Sequence, residues 1–229
     1  MKERVETILN IVLVVAAILV AAAAVDRQFL SGNGPAAGEA APPTYVDDWE
    51  QLLEGGVLVG DGEASVKIIE FTDLECSFCR RFHSAVADTK AEYGSDVALV
   101  FVHYPLGSHD LALPAAVAAE CAAQEDRFGA FIDAVYAKQD SLGVKPWSSY
   151  AAEAGIRDTT AFSRCVADNE TFPRIERGRA LASEWAVRGT PTVLINGWRF
   201  PHPPYALLSE IVGDMIAGKD PSLTRDEQP

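Results

Sequence analysis

The chain has 229 residues, of which 48% are hydrophobic, and its formal net charge is −14 at pH 7. This length suits one domain with additional segments, and the hydrophobic content is enough for a sizeable core. So acidic a chain is not expected to have nucleic acid or an anionic membrane surface as its main partner.

A long apolar segment lies close to the N-terminus. Residues 7–25 carry no charge, and a helix of that length reaches across a bilayer core of about 30 Å. Lys2 and Arg4 precede it, so the positive-inside rule places residues 1–6 in the cytoplasm and the rest of the chain outside. The apolar run exceeds a usual signal-peptide core, which favours a single-pass signal anchor in the cell membrane. The alternative is cleavage near Ala22–Ala24, which would release a secreted form.

The next segment differs in composition. Residues 26–55 are rich in Gly, Pro and Ala and predict a linker, with a short helix over Asp47 to Leu53. The folded domain is expected over residues 56–218, followed by a polar tail at residues 219–229.

The domain opens with a predicted strand–helix–strand unit. After an edge strand over Val57 to Val59, the pattern predicts a strand over Val66 to Thr72 and a helix over Ser77 to Tyr93, which Gly94 ends. Residues 97–104 form a nearly continuous apolar run, typical of a strand buried on both faces. The unit is therefore expected to be parallel and right-handed.

Two cysteines stand where this strand gives way to the helix. Cys76 lies at the predicted helix start, where unpaired N–H groups and the helix dipole favour its thiolate. Cys79 lies one turn further on the same face, close enough to form a disulfide with Cys76. Such a pair can exchange disulfides, because one thiolate attacks a partner and the other resolves the mixed disulfide. Half of a zinc site is the alternative interpretation.

Residues 108–188 are predicted to be helical, and strands return after them. The helices are expected over Ala115 to Gln124, Phe128 to Gln139, Ser148 or Ser149 to Gly155, Asp158 or Thr159 to Asp168, and Thr171 to Val187.

The C-terminal part predicts a hairpin and a last helix. A strand over Thr192 to Ile195 is joined by an Asn-Gly turn to a second strand over Trp198 to Phe200. The last helix is expected to begin at Pro203 and to end at Ala217.

The stretch from Ile68 to Phe82 resembles the active site of the thioredoxin superfamily, in particular that of the DsbA-like thiol–disulfide oxidoreductases. Glu70, six residues before the first cysteine, stands where that family has a buried carboxylate. Residues 189–192 resemble the loop that carries its cis-proline, and the Ala-rich helical stretch resembles its helical insertion. The resemblance covers about residues 56–218.

This resemblance implies the fold class. We expect an α/β thioredoxin fold, a central mixed β-sheet flanked by helices, with an inserted α-helical subdomain at about residues 108–188. The predicted single transmembrane helix over residues 7–25 would precede this fold.

The resemblance also implies which residues are catalytic. Cys76 and Cys79 would form the redox pair, and burial of Glu70 would raise the pKa of its carboxyl and suit it to exchanging a proton with Cys79. A surface-facing Glu70 is the alternative.

Thr190 and Pro191 would bind substrate. A cis bond between them would bring the Thr190 backbone beside Cys76, where its N–H and C=O groups can pair with an extended chain; an ordinary turn is the alternative. Relatives often carry a disulfide in the helical part, and Cys121 with Cys165 would form it here. Two buried free thiols are the alternative.

The neighbours of the first cysteine bear on its thiolate. The negative charge of Glu75 should oppose it, and Arg80 and Arg81 could offset that charge. Phe78 stands where strongly oxidising DsbA-like proteins commonly have a histidine, and it cannot donate a hydrogen bond. Trp198, close in sequence to the cis-proline loop, is a candidate for the border of the substrate groove.

The expected function is that of an extracytoplasmic thiol–disulfide oxidoreductase that introduces disulfides into reduced or unfolded exported proteins. The redox-active disulfide would be its only redox group, with no cofactor and no metal, and a membrane quinone-linked partner would re-oxidise it. Its scattered histidines, His83, His103, His109 and His202, have no metal-binding pattern. A membrane-anchored reductase or isomerase is the first alternative, and a non-catalytic binding or metal-carrying module is the second.

Overall fold

The computed structural model of the protein describes residues 42–221. The predicted cytoplasmic residues 1–6, the predicted membrane segment 7–25, and parts of the predicted linker and tail lie outside this range. Within the described range, none of the helices combines the length and the apolar character needed to cross a bilayer.

Six strands of the described chain form one mixed sheet. They are β1 (Thr44–Tyr45), β2 (Val57–Val59), β3 (Val66–Thr72), β4 (Val97–His103), β5 (Thr192–Ile195) and β6 (Trp198–Arg199). Their spatial order is β1-β6-β5-β3-β4-β2. β3 and β4 pair in parallel, whereas the other neighbours pair antiparallel. The expected βαβ unit and mixed sheet are therefore confirmed.

The helices cover both faces of the sheet. They are α1 (Ser77–Tyr93), α2 (Ala112–Ala123), α3 (Phe128–Ala137), α4 (Trp147–Glu153), α5 (Thr159–Asp168), α6 (Pro173–Glu184) and α7 (Leu208–Ile216). α2 to α6 separate β4 from β5 in the chain, which matches the predicted helical insertion into a thioredoxin fold.

Alternation along β3 divides the core into two layers, because successive side chains of a strand point to opposite faces. Ile68 belongs to the cluster that also contains residues of α1 to α5 and α7. Ile69 and Phe71 pack on the other face, against Leu181 of α6 and Leu52. All of these side chains are almost fully buried, so the strand that leads to the cysteine pair is held from both sides.

Residues 44–55 do not belong to a linker, and the predicted boundary at residue 55 is wrong in this respect. β1 pairs with β6, and a 3₁₀ helix over Trp49–Gly55 buries Leu52 in the core. The composition of residues 26–55 as a whole predicted a linker, but Leu52 packs against residues of β3 and α6 that are distant in sequence. A local pattern could not indicate these contacts.

The remaining differences concern helix ends. The last helix begins at Leu208 rather than at Pro203, and α3 ends at Ala137, with a 3₁₀ turn over Gln139–Ser141 after it. The Asn196–Gly197 turn was predicted correctly: both residues have positive φ, 44° and 86°, as a tight hairpin turn requires.

A disulfide joins two helices of the insertion. Cys121 of α2 and Cys165 of α5 are bonded, with their Cα atoms 5.9 Å apart, and they enclose a sequence separation of 44 residues.

Candidate active site

Cys76 occupies the N-cap of α1, at the end of a short loop that follows β3. Its backbone is extended (φ −72°, ψ 120°), and its carbonyl accepts a hydrogen bond from the Arg80 N–H at 3.1 Å. The backbone N–H groups of Phe78 and Cys79, at the start of α1, favour its thiolate and lower its pKa. The start of α1 therefore helps to stabilise the Cys76 thiolate.

The two thiols differ strongly in acidity. Both are free and buried, with 6% of Cys76 and none of Cys79 exposed. A hydrogen bond from the Cys79 thiol, helped by Thr190 and the helix N–H groups, outweighs burial and lowers the pKa of Cys76 to about 5. Burial, and the donation of its proton to Cys76, raise the pKa of Cys79 well above the ordinary value. Cys76 is thus the thiolate of the pair and Cys79 holds the proton.

Glu70 lies in the middle of β3, between Phe101 of β4 and Val193 of β5. It is completely buried, and neither carboxyl oxygen has a hydrogen-bond partner among the described residues. Burial raises the pKa of its carboxyl to about 8; the Thr72 hydroxyl opposes the shift and the Cys76 charge adds to it. Its charge also acts on Cys79, so Glu70 is a buried acid beside the second thiol.

The loop before β5 contacts the first cysteine. The Thr190–Pro191 peptide bond is cis, and the Cys76 sulfur lies 3.5 Å from the Thr190 carbonyl oxygen, to which it donates a hydrogen bond when it is protonated. The Thr190 hydroxyl is buried without a partner, and it favours the Cys76 thiolate. The fold therefore places the backbone of Thr190 beside the sulfur of Cys76, as expected for a cis bond at Pro191.

The carboxylates of the loop between β3 and α1 face the helical insertion. Asp73 accepts hydrogen bonds from the backbone N–H groups of Glu75 and Leu106 at 2.8 and 2.9 Å. It also pairs with His109 at 2.8 Å. The Glu75 carboxylate accepts a hydrogen bond from the Leu111 N–H at 2.6 Å.

The expectation that Arg80 and Arg81 offset Glu75 is wrong. Arg80 forms an ion pair with Asp140 at 2.9 Å, and the Arg81 guanidinium lies over the Tyr205 ring, 3.7 Å from its centre. Asp140 lies in the 3₁₀ turn after α3, and Tyr205 lies just before α7. The loop carboxylates instead contact residues that follow β4.

Gln139 was missed by the sequence analysis. Its side chain is buried, and its amide donates to the carbonyls of Leu74 and Cys76 at 2.8 and 3.0 Å. A signal was present, because Gln139 continues the helical spacing of Phe131 and Val135 on the apolar face of α3. A polar side chain on such a face needs a buried hydrogen-bond partner.

Two aromatic residues flank the cysteine pair differently from each other. Phe78, between the cysteines, has 59% of its surface exposed and faces solvent. Trp198, the candidate for the border of the substrate groove, packs edge-on against Tyr45, with ring centres 5.4 Å apart. The two residues lie at the β1–β6 edge of the sheet.

Comparisons with known proteins agree with this architecture. A family model described as Thioredoxin matches residues 53–214. A thioredoxin-like oxidoreductase from Silicibacter pomeroyi is similar in structure, with a TM-score of 0.60, 24% identity, and coverage of 74% of this chain and 97% of that one. Oxidised BdbD from Bacillus subtilis has a TM-score of 0.63 and 19% identity, over 79% of this chain and 100% of that one.

A curated relative is also similar in sequence. The Na(+)/H(+) antiporter NhaA 3 of Salinispora tropica is 36% identical over 147 residues, which is 64% of this chain and 22% of the antiporter. The chain spans about a quarter of the length of the curated relatives it matches.

Proposed function

Because the chain belongs to the thioredoxin family and has the architecture of its DsbA-like members, we propose that it is a thiol–disulfide oxidoreductase that oxidises cysteines of exported proteins. The observation that carries the proposal is the asymmetry of the cysteine pair. The pKa of Cys76 is lowered to about 5, whereas that of Cys79 is raised well above the ordinary thiol value.

In the oxidising direction the enzyme starts with a Cys76–Cys79 disulfide. A substrate thiolate attacks the Cys76 sulfur, a mixed disulfide forms, and the Cys79 sulfur leaves with the electron pair of the broken bond. A second substrate thiolate then attacks the substrate sulfur of the mixed disulfide and releases Cys76 as a thiolate. The substrate loses two electrons and the enzyme pair gains them.

The pKa of Cys76 favours this direction. A thiol of low pKa is a good leaving group, and stabilisation of its thiolate stabilises the reduced enzyme. Both effects make the disulfide form a stronger oxidant. In the reducing direction Cys76 would be the attacking nucleophile, and a thiolate of low pKa is a weaker nucleophile.

Glu70 is proposed as the proton donor and acceptor for Cys79. With a pKa of about 8, its carboxyl holds a proton at neutral pH and can pass it to the Cys79 sulfur as that atom leaves. Cys79, with no exposed surface, has little direct access to water. A Glu70→Gln variant should therefore form and resolve the mixed disulfide more slowly.

The cis-proline loop is proposed as the binding site for the substrate backbone. The Thr190 carbonyl oxygen lies 3.5 Å from the Cys76 sulfur, so a chain that pairs with this loop would pass directly over the reactive sulfur. Recognition through the backbone suits a broad range of substrate sequences.

We further propose that the domain works outside the cytoplasm. Residues 7–25 would anchor it in the cell membrane by a single helix, or would be cleaved as a signal peptide. Its substrates would be reduced exported proteins, and a membrane quinone-linked partner would re-oxidise Cys76 and Cys79. The support for these statements is the sequence of the N-terminal segment and the family resemblance.

The equilibrium between the cysteine pair and glutathione tests the direction. The fraction of oxidised pair is measured at defined glutathione ratios by thiol trapping and mass spectrometry, with a Cys121→Ala/Cys165→Ala variant as the control for the second disulfide. An oxidase should have a potential closer to about −120 mV, the value of DsbA, than to about −270 mV, the value of thioredoxin. A value near the thioredoxin end would replace the proposal with a reductase.

A further inference from the structure

His109 contacts the active-site loop from a different part of the chain. It lies between β4 and α2, and its Nδ1 is 2.8 Å from the Oδ2 atom of Asp73. Because a carboxylate only accepts hydrogen bonds, Nδ1 carries the proton and donates it. Nε2 is then the atom that gains or loses a proton, and 29% of the side chain is exposed to exchange it with solvent.

The loop that carries Cys76 has two carboxylates close to the thiolate, and a positive charge nearby would offset them. Asp73 and Glu75 stand three residues and one residue before Cys76, and negative charges so close oppose a thiolate. The side chain of Asp73 is completely buried, so water screens its charge poorly. Ion pairs of Asp73 and Glu75 with lysine or arginine are absent from residues 42–221; the ion pair formed there is that of Asp73 with His109.

We propose that protonated His109 is a positioning residue that supplies this charge and stabilises the Cys76 thiolate. The inference rests on the proposed function and deepens it, because a more stable thiolate makes the disulfide form a stronger oxidant. Protonated His109 adds a positive charge to the hydrogen bonds from Cys79, Thr190 and the helix N–H groups that lower the pKa of Cys76. The charge reaches the site from the connection after β4 rather than from the dipeptide between the cysteines.

The charges around His109 favour its protonated form. Burial opposes protonation, but the hydrogen bond to Asp73 and the charges of Asp73, Glu75 and Cys76 outweigh it and raise the pKa of His109. These are the charged groups that act on it from the loop and from the start of α1. Since electrostatic coupling is reciprocal, a thiolate that favours the imidazolium is itself favoured by it.

The pH range follows from the two groups. The pKa of Cys76 is lowered to about 5, and that of His109 is raised from its usual value. Between these two values the pair exists as thiolate and imidazolium, and the stabilisation is lost when His109 loses its proton at higher pH. The raised pKa of His109 extends the pH range of the imidazolium towards neutral pH.

The first test measures the pKa of Cys76 in the reduced protein, from the pH dependence of its alkylation rate, with the modified residue identified by mass spectrometry. His109→Gln keeps a hydrogen-bond donor towards Asp73 but removes the charge. We expect the pKa of Cys76 to rise by about one unit, which is a tenfold loss in the thiolate-to-thiol ratio. His109→Lys, which restores a positive charge, should reverse most of the rise.

His83→Gln is the matched control. His83 also forms an imidazole–aspartate pair, with its Nε2 2.7 Å from Asp133, but its partner lies on α3 and not in the active-site loop. This substitution should leave the pKa of Cys76 unchanged. The proposal would be overturned if the pKa of Cys76 were unchanged in His109→Gln. It would also be overturned if that pKa rose equally in His109→Gln and His109→Lys, because the shape of the side chain and not its charge would then be responsible.

A second measurement needs no variant. The imidazole of His109 is titrated by NMR in the wild-type protein, once with Cys76 and Cys79 reduced and once with them joined. The pKa of His109 should be higher in the reduced protein, where the charge of the thiolate is present, and equal values would contradict the coupling. Both readouts are independent of turnover, so a protein that shows them and yet fails to oxidise thiols would contradict the proposed function alone.

Discussion

The side chain of Gln139 is hydrogen-bonded to the backbone of Cys76: its amide nitrogen lies 3.0 Å from the Cys76 carbonyl oxygen, and it also reaches the Leu74 carbonyl at 2.8 Å. Gln139 belongs to the helical insertion, whereas Cys76 belongs to the thioredoxin part of the chain. The insertion therefore fixes the loop that presents the reactive sulfur, in addition to covering the sheet.

Replacing this amide should loosen the active-site loop. Gln139→Leu keeps the size of a buried side chain but removes both hydrogen bonds. The Cys76 carbonyl keeps the Arg80 N–H as a partner, whereas the Leu74 carbonyl loses the amide, and we expect the free energy of unfolding to fall by about 1–3 kcal/mol. Denaturant unfolding of the oxidised protein measures it. Gln51→Leu, at an exposed position, is the control and should change stability little; equal stability of the two variants would show that the Gln139 hydrogen bonds contribute nothing.

The disulfide of the insertion should stabilise the fold without tuning the redox site. Cys121→Ala with Cys165→Ala releases a loop that spans a sequence separation of 44 residues, for which the chain-entropy model gives about 4 kcal/mol. Thermal or denaturant unfolding should reveal a loss of this order. The alkylation profile of Cys76 should stay as in the wild type, and a shifted profile would mean that the insertion transmits strain to the loop.

The parts of the site that could be predicted from the sequence are those set by neighbouring residues in the chain. The alternation of β3, the start of α1 and the spacing of Cys76 and Cys79 are local, and they predict the core of the site. Glu70 was expected to be buried because a central strand has no exposed face, and the structure confirms its burial.

The contacts from the insertion could not be predicted in the same way. His109 and Gln139 reach the active-site loop across a large separation in sequence, and only the packing of the insertion brings them there. Residues 44–55 show the same limit, because their linker-like composition hides Leu52, whose burial depends on the distant helix α6. Local patterns predict elements, whereas tertiary packing decides which polar side chains meet.

The hydroxyl of Thr190 should act on the thiolate and not on stability. It is buried without a hydrogen-bond partner, yet it lowers the pKa of Cys76, because a thiolate accepts hydrogen bonds better than a thiol. Thr190→Val should raise the pKa of Cys76 by up to about one unit, the value of one hydrogen bond. In the oxidised protein, where no thiolate is present, folding stability should be equal or higher, since the hydroxyl has no other hydrogen-bond partner to lose.

A second threonine of the same loop provides the control. The hydroxyl of Thr192 donates to the Gly189 carbonyl at 2.8 Å, so Thr192→Val removes a hydrogen bond within the loop. It should lower stability by about 1 kcal/mol and leave the pKa of Cys76 in place. The opposite pattern, with Thr192 and not Thr190 controlling the thiolate, would contradict the assignment.

Glu70 should make the protein less stable as the pH rises. Its pKa is about 8 in the folded protein against 4.5 ordinarily, so between these values the folded state holds a proton that the unfolded state has released. The unfolded state then binds fewer protons, and the free energy of unfolding falls with increasing pH by up to about 1.4 kcal/mol per unit. The loss is complete once the pH has passed about 8, and the full stability is present below about 4.5.

Glu70→Gln isolates this contribution, because glutamine imitates the protonated acid at every pH. Unfolding is measured on the oxidised protein, so that the thiols of the active site do not titrate. The variant should match the wild type below about pH 4.5 and exceed it by roughly 4 kcal/mol near pH 8. Glu70→Leu has no titrating group at this position, so its stability should not fall in this way either. A difference between wild type and Glu70→Gln that does not change with pH would mean that Glu70 is ionised throughout this range, and it would remove the basis for its role as the proton donor to Cys79.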